Sequence, residues 1–261
     1  MIKKMRLQRL AHWLYIRARW LYITRIGRWL EGLNLTGETV EANKYWNDWY
    51  SGTNLTDNET IETGVDNLYT RVHYAGIEEA LAQILRERKV NLPESHVVDI
   101  GTGAGHWIQF FDDLGASRIT GLDIAKEPIK QLSEQHAHNS RIQFKQCDVA
   151  VNEIPDADII VGVGVMFHIV DEKRFQQAVE NIIKSLEPDG VALLTGSVGW
   201  FSYVAIRDDD GSAMKRRRSK RHWRRVINKA GGKLHKVRRV KSPKSVVTPA
   251  SNVLVIQPGR D

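Results

Sequence analysis

The sequence predicts a doubly wound α/β domain on a mostly parallel seven-stranded sheet, preceded by a helical N-terminal extension. Three observations predict it. An apolar strand, His96 to Ile100, runs into a turn with glycine at three alternate positions, Gly101, Gly103 and Gly105, and then into a helix. From there short apolar runs alternate with helix-length segments, as parallel strands joined by crossover helices require. Three carboxylates, Asp99, Asp123 and Asp148, stand at or just past the ends of three successive strands, where open α/β sheets bind ligands.

The 261 residues suit one large domain with appendages: a basic amphipathic helix over residues 1–37, a helical cap or lid over 38–95, and a ligand-binding domain over 96–261. The net charge of +7 is unevenly spread. Residues 1–30 hold eight Lys/Arg and no acid, 31–210 hold fourteen against thirty acids, and 211–241 hold fourteen and no acid. Basic ends around an acidic body imply either internal docking of opposite charges or an anionic partner: nucleic acid, lipid headgroups or a phosphorylated substrate. No run approaches the ~20 apolar residues that span a bilayer. The single cysteine, Cys147, has no internal partner, so a reducing, cytoplasmic setting is the expectation. No metal is expected.

Within residues 1–30, Trp13-Leu14-Tyr15-Ile16 repeats seven residues on as Trp20-Leu21-Tyr22-Ile23. Two helical turns separate the copies, so each residue type returns to nearly one face. Interspersed Lys and Arg fit a helix at a membrane surface, or one packed on the acidic body or on another subunit. A second helix is expected over 39–51, with Tyr45, Trp46, Trp49 and Tyr50 as core or lid aromatics, then a polar loop over 52–63. A third, over 65–89, directs Leu68, Val72, Ala75, Ile77, Leu81, Ile84 and Leu85 to the core. On it, Arg71, His73 and Tyr74 read either as ligand contacts or as an exposed face.

The alternation then gives strand 96–100, helix 104–114, strand 118–123, helix 126–138, strand 141–146, strand 158–163, helix 171–186 and strand 190–196. Asp171 reads as the N-cap of its helix, with Glu172 favouring the positive end. Leu186-Glu187-Pro188-Asp189-Gly190 reads as a turn before the fifth strand. Gly199, Trp200, Phe201 and Tyr203 suggest an aromatic loop over the cleft, and Arg207 to Gly211 a hydrophilic break. The basic run Lys215 to Arg225 leads into a last helix that turns Trp223, Val226, Ile227 and Ala230 to the sheet. Strands at 234–240 and 252–256 complete the chain. The run's cations form either a solvated helix face or a phosphate-binding surface, with Trp223 and His222 able to stack on a base.

The glycine turn carries the chemistry. Glycine admits positive φ and lets a ligand lie against the backbone, while the helix start offers unpaired N–H groups. A dinucleotide fingerprint needs Gly-x-Gly-x-x-Gly, but here the third glycine comes one residue early, at Gly105. Asp99 would repel a pyrophosphate and accept an ammonium. Asp123, at the end of the second strand, suits both hydroxyls of a ribose. The ligand is therefore a nucleoside carrying a cation.

Val97, Val98, Asp99, Ile100, Gly101, Gly103 and Gly105 match the pattern apolar-apolar-acid-apolar-Gly-x-Gly-x-Gly. The stretch thereby resembles motif I of the class I S-adenosylmethionine-dependent methyltransferases, small-molecule type, whose fold is Rossmann-like. The Tyr-Trp-x-x-Trp-Tyr-x-Gly wording from Tyr45 is similar to the segment preceding many such domains and covering the cofactor. The resemblance implies S-adenosyl-L-methionine as cofactor, held by Asp99, Gly101, Thr102, Gly103, Gly105, Asp123, Ile124, Asp148, Val149 and Val163. Asp148 and Val149 would meet the adenine. It also implies a reversed final hairpin at the sheet edge. Gly164 to His168 stands where donor and acceptor meet. His168 reads as a general base or as a residue that shapes the pocket or caps the next helix. Methyl transfer to an oxygen or nitrogen of a small-molecule or glycan acceptor is the expected function, with an RNA methyltransferase or RNA-binding protein as the alternative.

Overall fold

The computed structural model of the chain describes residues 41–51, 55, 67–196, 198–199, 202–206, 213–240 and 252–259. The basic N-terminal repeat, nearly all of the 52–63 loop, Trp200, Phe201 and the Arg207–Gly211 break lie outside the described residues. Helix α1 is Ala42–Tyr50 and α2 is Asn67–Glu87. Strand β1 (His96–Ile100), α3 (His106–Asp113), β2 (Arg118–Asp123), α4 (Lys126–Gln135), β3 (Ile142–Gln146), β4 (Ala157–Gly162), α5 (Glu172–Lys184) and β5 (Leu186–Gly196) follow. Strands β6 (Tyr203–Ile206) and β7 (Ala213–Arg217), helix α6 (Lys220–Lys229), and strands β8 (Gly232–Arg239) and β9 (Asn252–Pro258) end the chain.

Seven strands form one sheet in the order β3-β2-β1-β4-β5-β9-β8. Strands β1 to β5 pair in parallel, and β9 runs antiparallel to both β5 and β8. The order reverses between β1 and β4, which opens a crevice at their carboxyl ends. Side-chain alternation sorts the strand residues into two cores. Val98, Ile100, Ile160, Ala192, Leu194, Leu254 and Ile256 pack with Phe175 and Ile182 of α5 and Trp223 and Ile227 of α6. Val97, Ile119, Ile159, Val161, Leu193 and Val255 pack with Ile77, Leu81 and Ile84 of α2 and Trp107 and Phe111 of α3. Asp171 caps α5 by accepting from Arg174 N–H at 2.8 Å.

Three expectations are corrected. The buried stripe of α2 is Thr70, Tyr74, Ile77, Leu81, Ile84 and Leu85, while Leu68 and Val72 are 64% and 40% exposed and Ala75 is exposed. Apolar residues occupy two faces of this helix, and the one that continues through Ile77 and Leu81 meets the sheet. The expected turn at 186–190 is an irregularity inside β5: Ala157 pairs Leu186 and Ile159 pairs Val191. The extra residues loop out without ending the strand.

The third correction concerns the basic run. Lys215 to Arg217 belong to a two-stranded antiparallel ribbon, β6–β7, and α6 starts only at Lys220, capped by the Ser219 hydroxyl. Arg216 and Arg218 are buried, at 5% and 2% exposure. Glu172 gathers them. Its carboxylate lies 3.3 Å from Arg218 Nε, 3.6 Å from Arg216 Nη1 and 2.7 Å from His222 Nε2. Burial opposes ionisation of Glu172, but His222 and the Arg218 charge outweigh it and hold the carboxyl at about 2. Arg218 also donates to the Ile169 carbonyl at 2.8 Å and stacks 3.5 Å from the centre of the Phe175 ring.

Removing Glu172 leaves buried guanidinium groups without a counter-ion. Glu172→Gln is expected to cost about 3–5 kcal/mol of stability at neutral pH, measured by urea denaturation. Because the folded-state pKa is depressed, the wild type should lose this contribution as pH falls from 4.5 toward 2, and the variant should lack that component of its pH dependence.

Candidate active site

The turn after β1 takes its shape from three left-handed glycines, Gly101 at φ 70°, Gly103 at 50° and Gly105 at 84°. Gly105 is the N-cap of α3, and no side chain caps the helix there. A Cβ on Gly101 would stand 2.3 Å from a Val165 methyl, and one on Gly105 2.7 Å from a Leu132 methyl. The turn is thus wedged between the loop after β4 and helix α4.

Two carboxylates stand beside it. Asp123 is 6% exposed. Its Oδ2 accepts from Gly103 N–H at 3.0 Å and its Oδ1 from Ala125 N–H at 2.9 Å. Burial lifts its pKa to about 6, against those N–H donors and that of Ile124. Asp99 is fully buried, and neither oxygen has a hydrogen-bond partner; the buried Thr102 hydroxyl next to it has none either. Burial drives Asp99 to about 7 and the Asp123 charge reinforces the shift; the Thr102 side chain lies near enough to oppose it, although its hydroxyl makes no aligned hydrogen bond to the carboxylate. A buried acid without partners costs free energy that a cationic, hydrogen-bonding ligand recovers.

The remaining expected cofactor residues are placed as follows. Cys147 N–H donates to Asp123 O at 2.7 Å, which brings Asp148 and Val149 against the end of β2. The Asp148 carboxylate accepts from Arg174 Nη2 at 2.5 Å and from Ala150 N–H at 3.0 Å. Its side chain therefore braces α5, while Asp148 N–H donates to Asn152 Oδ1 at 2.9 Å, the Asp148 carbonyl accepts from Val151 and Asn152 N–H, and the Val149 carbonyl accepts from Asn181 Nδ2. Ile124 is half-buried with its carbonyl taken by Gln146. Val163, half-buried, continues β4 toward the crevice.

On the acceptor side, Gly164 N–H donates to Thr195 Oγ1 at 2.9 Å, pinning the loop that carries His168. Helix α1 covers this loop. Trp46 stands edge-on to His168 with ring centres 4.9 Å apart, and Asn47 Oδ1 accepts from Lys126 N–H at 3.0 Å. Residues past β2 and β4 are thus bridged by one aromatic helix. Of the three polar residues of α2, Tyr74 is buried against His106, ring centres 4.3 Å apart, and Arg71 is exposed. His106 is held by Glu78 at 2.8 Å. Sequence reasoning read Glu172 only as favouring the helix start and missed its pairing with Arg216 and Arg218, whose guanidinium groups donate to carbonyls of the 166–170 segment.

Residues 97–190 match the family model described as a methyltransferase domain. Phosphoethanolamine N-methyltransferase of Plasmodium falciparum is 27% identical over 119 residues, 45% of this chain and 44% of that protein. Ribosomal protein L11 methyltransferase of Dictyoglomus thermophilum is 25% identical, covering 43% and 44%. The chain thus spans under half the length of these curated relatives. Among solved structures, magnesium protoporphyrin IX methyltransferase of Synechocystis with bound S-adenosylmethionine covers 85% of this chain and 99% of its own, with 15% identity and a TM-score of 0.59. The 1,6-didemethyltoxoflavin-N1-methyltransferase of Burkholderia thailandensis, with bound S-adenosylhomocysteine, covers 77% and 94%, at 14% identity and a TM-score of 0.55. Residues 97–190 thus match a methyltransferase domain, and the sheet and its helices share the fold of these solved S-adenosylmethionine-binding methyltransferases.

Two measurements check the cradle. A cationic nucleoside such as S-adenosylhomocysteine, if held by both carboxylates, would need them ionised, and their pKa values of about 7 and about 6 would make protonation compete with it. Its affinity is therefore expected to weaken by roughly tenfold from pH 8 to pH 6, with proton release visible by calorimetry in buffers of different ionisation enthalpy. Gly101→Ala, forced to a positive φ against Val165, should lose about 1–3 kcal/mol in thermal unfolding and at least roughly tenfold in affinity.

Proposed function

We propose that the chain transfers the methyl group of S-adenosylmethionine to an oxygen or nitrogen of a small-molecule acceptor. The observation that carries this reading is the buried, unpartnered Asp99 carboxylate beside the glycine turn and the N–H-braced Asp123. That arrangement fits an amino-acid ammonium at Asp99 and ribose hydroxyls at Asp123. The orphaned Thr102 hydroxyl offers a further polar contact to the same moiety. When bound, the cofactor supplies a methyl group already activated by a positively charged sulfur.

The chain's own work is then alignment and exclusion of water. Trp46 and its aromatic neighbours on α1 close the crevice from above the 164–168 loop, which favours an acceptor small enough to be enclosed. His168 lies on that loop and against Trp46, which supports its reading as the base that takes a proton from a hydroxyl or ammonium acceptor. The small-molecule assignments of the two solved relatives named above support the same acceptor class.

Radiolabelled methyl donor incubated with the protein and with separated RNA, lipid, glycan and small-molecule fractions of cell extract is expected to label the small-molecule fraction. Label in RNA would replace this reading with its rival. His168→Asn should lower turnover by roughly a hundredfold with S-adenosylhomocysteine affinity within about twofold of wild type. An unchanged rate would leave His168 as a residue that only shapes the pocket.

A further inference from the structure

The segment that carries His168 has no ladder of its own. Residues 163–171, between β4 and α5, form neither helix nor strand, and buried carbonyls in such a segment need donors from elsewhere. Those donors come from Arg216 and Arg218, far along the chain. Arg216 N–H donates to the Phe167 carbonyl at 2.7 Å. Arg216 Nη1 reaches the Val170 carbonyl at 3.3 Å, and Arg218 Nη2 the Ile169 carbonyl at 2.8 Å. The carbonyls on both sides of His168 are thus held from outside the loop.

Arg218 stands where these contacts converge. Its side chain is 1% exposed, with Nε 3.3 Å from Glu172 Oε2 on α5, and its guanidinium stacks 3.5 Å from the centre of the Phe175 ring. His222, in the first turn of α6, holds the other Glu172 oxygen at 2.7 Å. One planar fork therefore faces an anion, a ring and a loop carbonyl at once, and its donors cannot turn independently. A buried ion pair is a weak source of stability, since apolar side chains of similar volume often serve as well or better. What the fork adds is direction: it fixes where the loop's carbonyls lie relative to α5.

We propose that Arg218 is a positioning residue for methyl transfer, its fork locked by Glu172 and Phe175 so that the 166–170 segment aims the His168 imidazole at the acceptor's nucleophile. The proposal rests on the methyl-transfer reading above, with His168 as the base. It gives the chain between β5 and α6 a part in the reaction, as the frame of the loop that bears that base.

The test uses the full chain. Arg218→Lys keeps a positive charge for Glu172 but replaces the fork with a single ammonium. Initial rates of label transfer from radiolabelled methyl donor to a dilution series of the small-molecule extract fraction give a maximal rate and an apparent KM. In Arg218→Lys the maximal rate is expected to fall by roughly tenfold to a hundredfold, with apparent KM and S-adenosylhomocysteine affinity within about twofold of wild type. In a His168→Asn background the same substitution should cost less than about twofold, because the group it aims is gone. The imidazole NMR signal of His168, assigned through His168→Asn, should move or broaden in Arg218→Lys and stay in place in Arg224→Met, which removes an exposed cation from α6. Phe175→Leu takes away the ring beneath the guanidinium, leaves the ion pair, and is expected to give the same pattern should Arg218→Lys fail to fold. A folded Arg218→Lys with the wild-type rate and an unmoved His168 signal overturns the proposal, as does an equal loss of rate in the His168→Asn background; methyl transfer itself stands in both cases. Absence of label together with absence of S-adenosylhomocysteine uptake by the wild-type chain overturns the underlying reading, and this proposal with it.

Discussion

The constraint on which the site depends is the burial of Asp99 at the end of a central strand with neither carboxylate oxygen hydrogen-bonded. Buried polar groups in folded proteins are almost always paired, and Asp99 is 0% exposed on β1, between β2 and β4. Asp123, 6% exposed on the neighbouring strand, shows the contrast: its oxygens are satisfied by the backbone N–H groups of the glycine turn and of Ala125. One carboxylate shapes the cradle, and the other waits for what the cradle receives. The left-handed glycines make both arrangements geometrically possible, since a side chain at Gly101 would collide with Val165.

A second ionic centre holds the opposite wall. Glu172, in the first turn of α5, draws Arg216 and Arg218 inward from the segment between β5 and α6, and binds His222 in the first turn of α6. The arginines in turn satisfy carbonyls of the loop that bears His168. The glycine-turn side of the crevice is built from backbone and carboxylates, and the side that bears His168 is backed by a side-chain ion cluster. Helix α1 joins them, reaching Lys126 on one side and His168 on the other. Charge also docks elements farther away: Glu87 of α2 pairs with Lys236 and Arg238 of β8. Part of the basic C-terminal excess is thus consumed inside the molecule.

Most of the fold was legible in the sequence because its signals are local. Val97 to Gly105 combines a strand run, an acid and a glycine turn within nine residues, and β1 and β2 fall at the expected bounds. Asp171 announced its helix by cap chemistry. The stripe of α2 was misread at Leu68, Val72 and Ala75 because that helix carries apolar residues on two faces, and only tertiary packing selects one. The ribbon β6–β7 escaped because Lys215-Arg216-Arg217-Arg218 are all cationic: a period of two leaves no trace when both faces carry the same residue class. The hairpin cue was present in Tyr203 to Ile206 followed by Asp210-Gly211. The partner of the buried arginines, Glu172, lies more than forty residues earlier in the chain, and nothing in either segment alone points to the other. For the site, the acids at the ends of β1 and β2 were found directly, whereas the Arg174 bond that takes up the Asp148 side chain depends on how α5 lies over the sheet.

Under the proposed function, the free Asp99 carboxyl is held partly protonated by burial and becomes ionised when a cationic nucleoside occupies the turn. Carboxyl carbon NMR of the 13C-labelled protein, with the Asp99 resonance assigned through Asp99→Asn, measures this directly across a pH titration. The Asp99 signal should titrate near pH 7 in the free protein and remain in its ionised position well below that with S-adenosylhomocysteine bound. An Asp99 resonance that titrates at the same pH with and without the ligand would contradict the account.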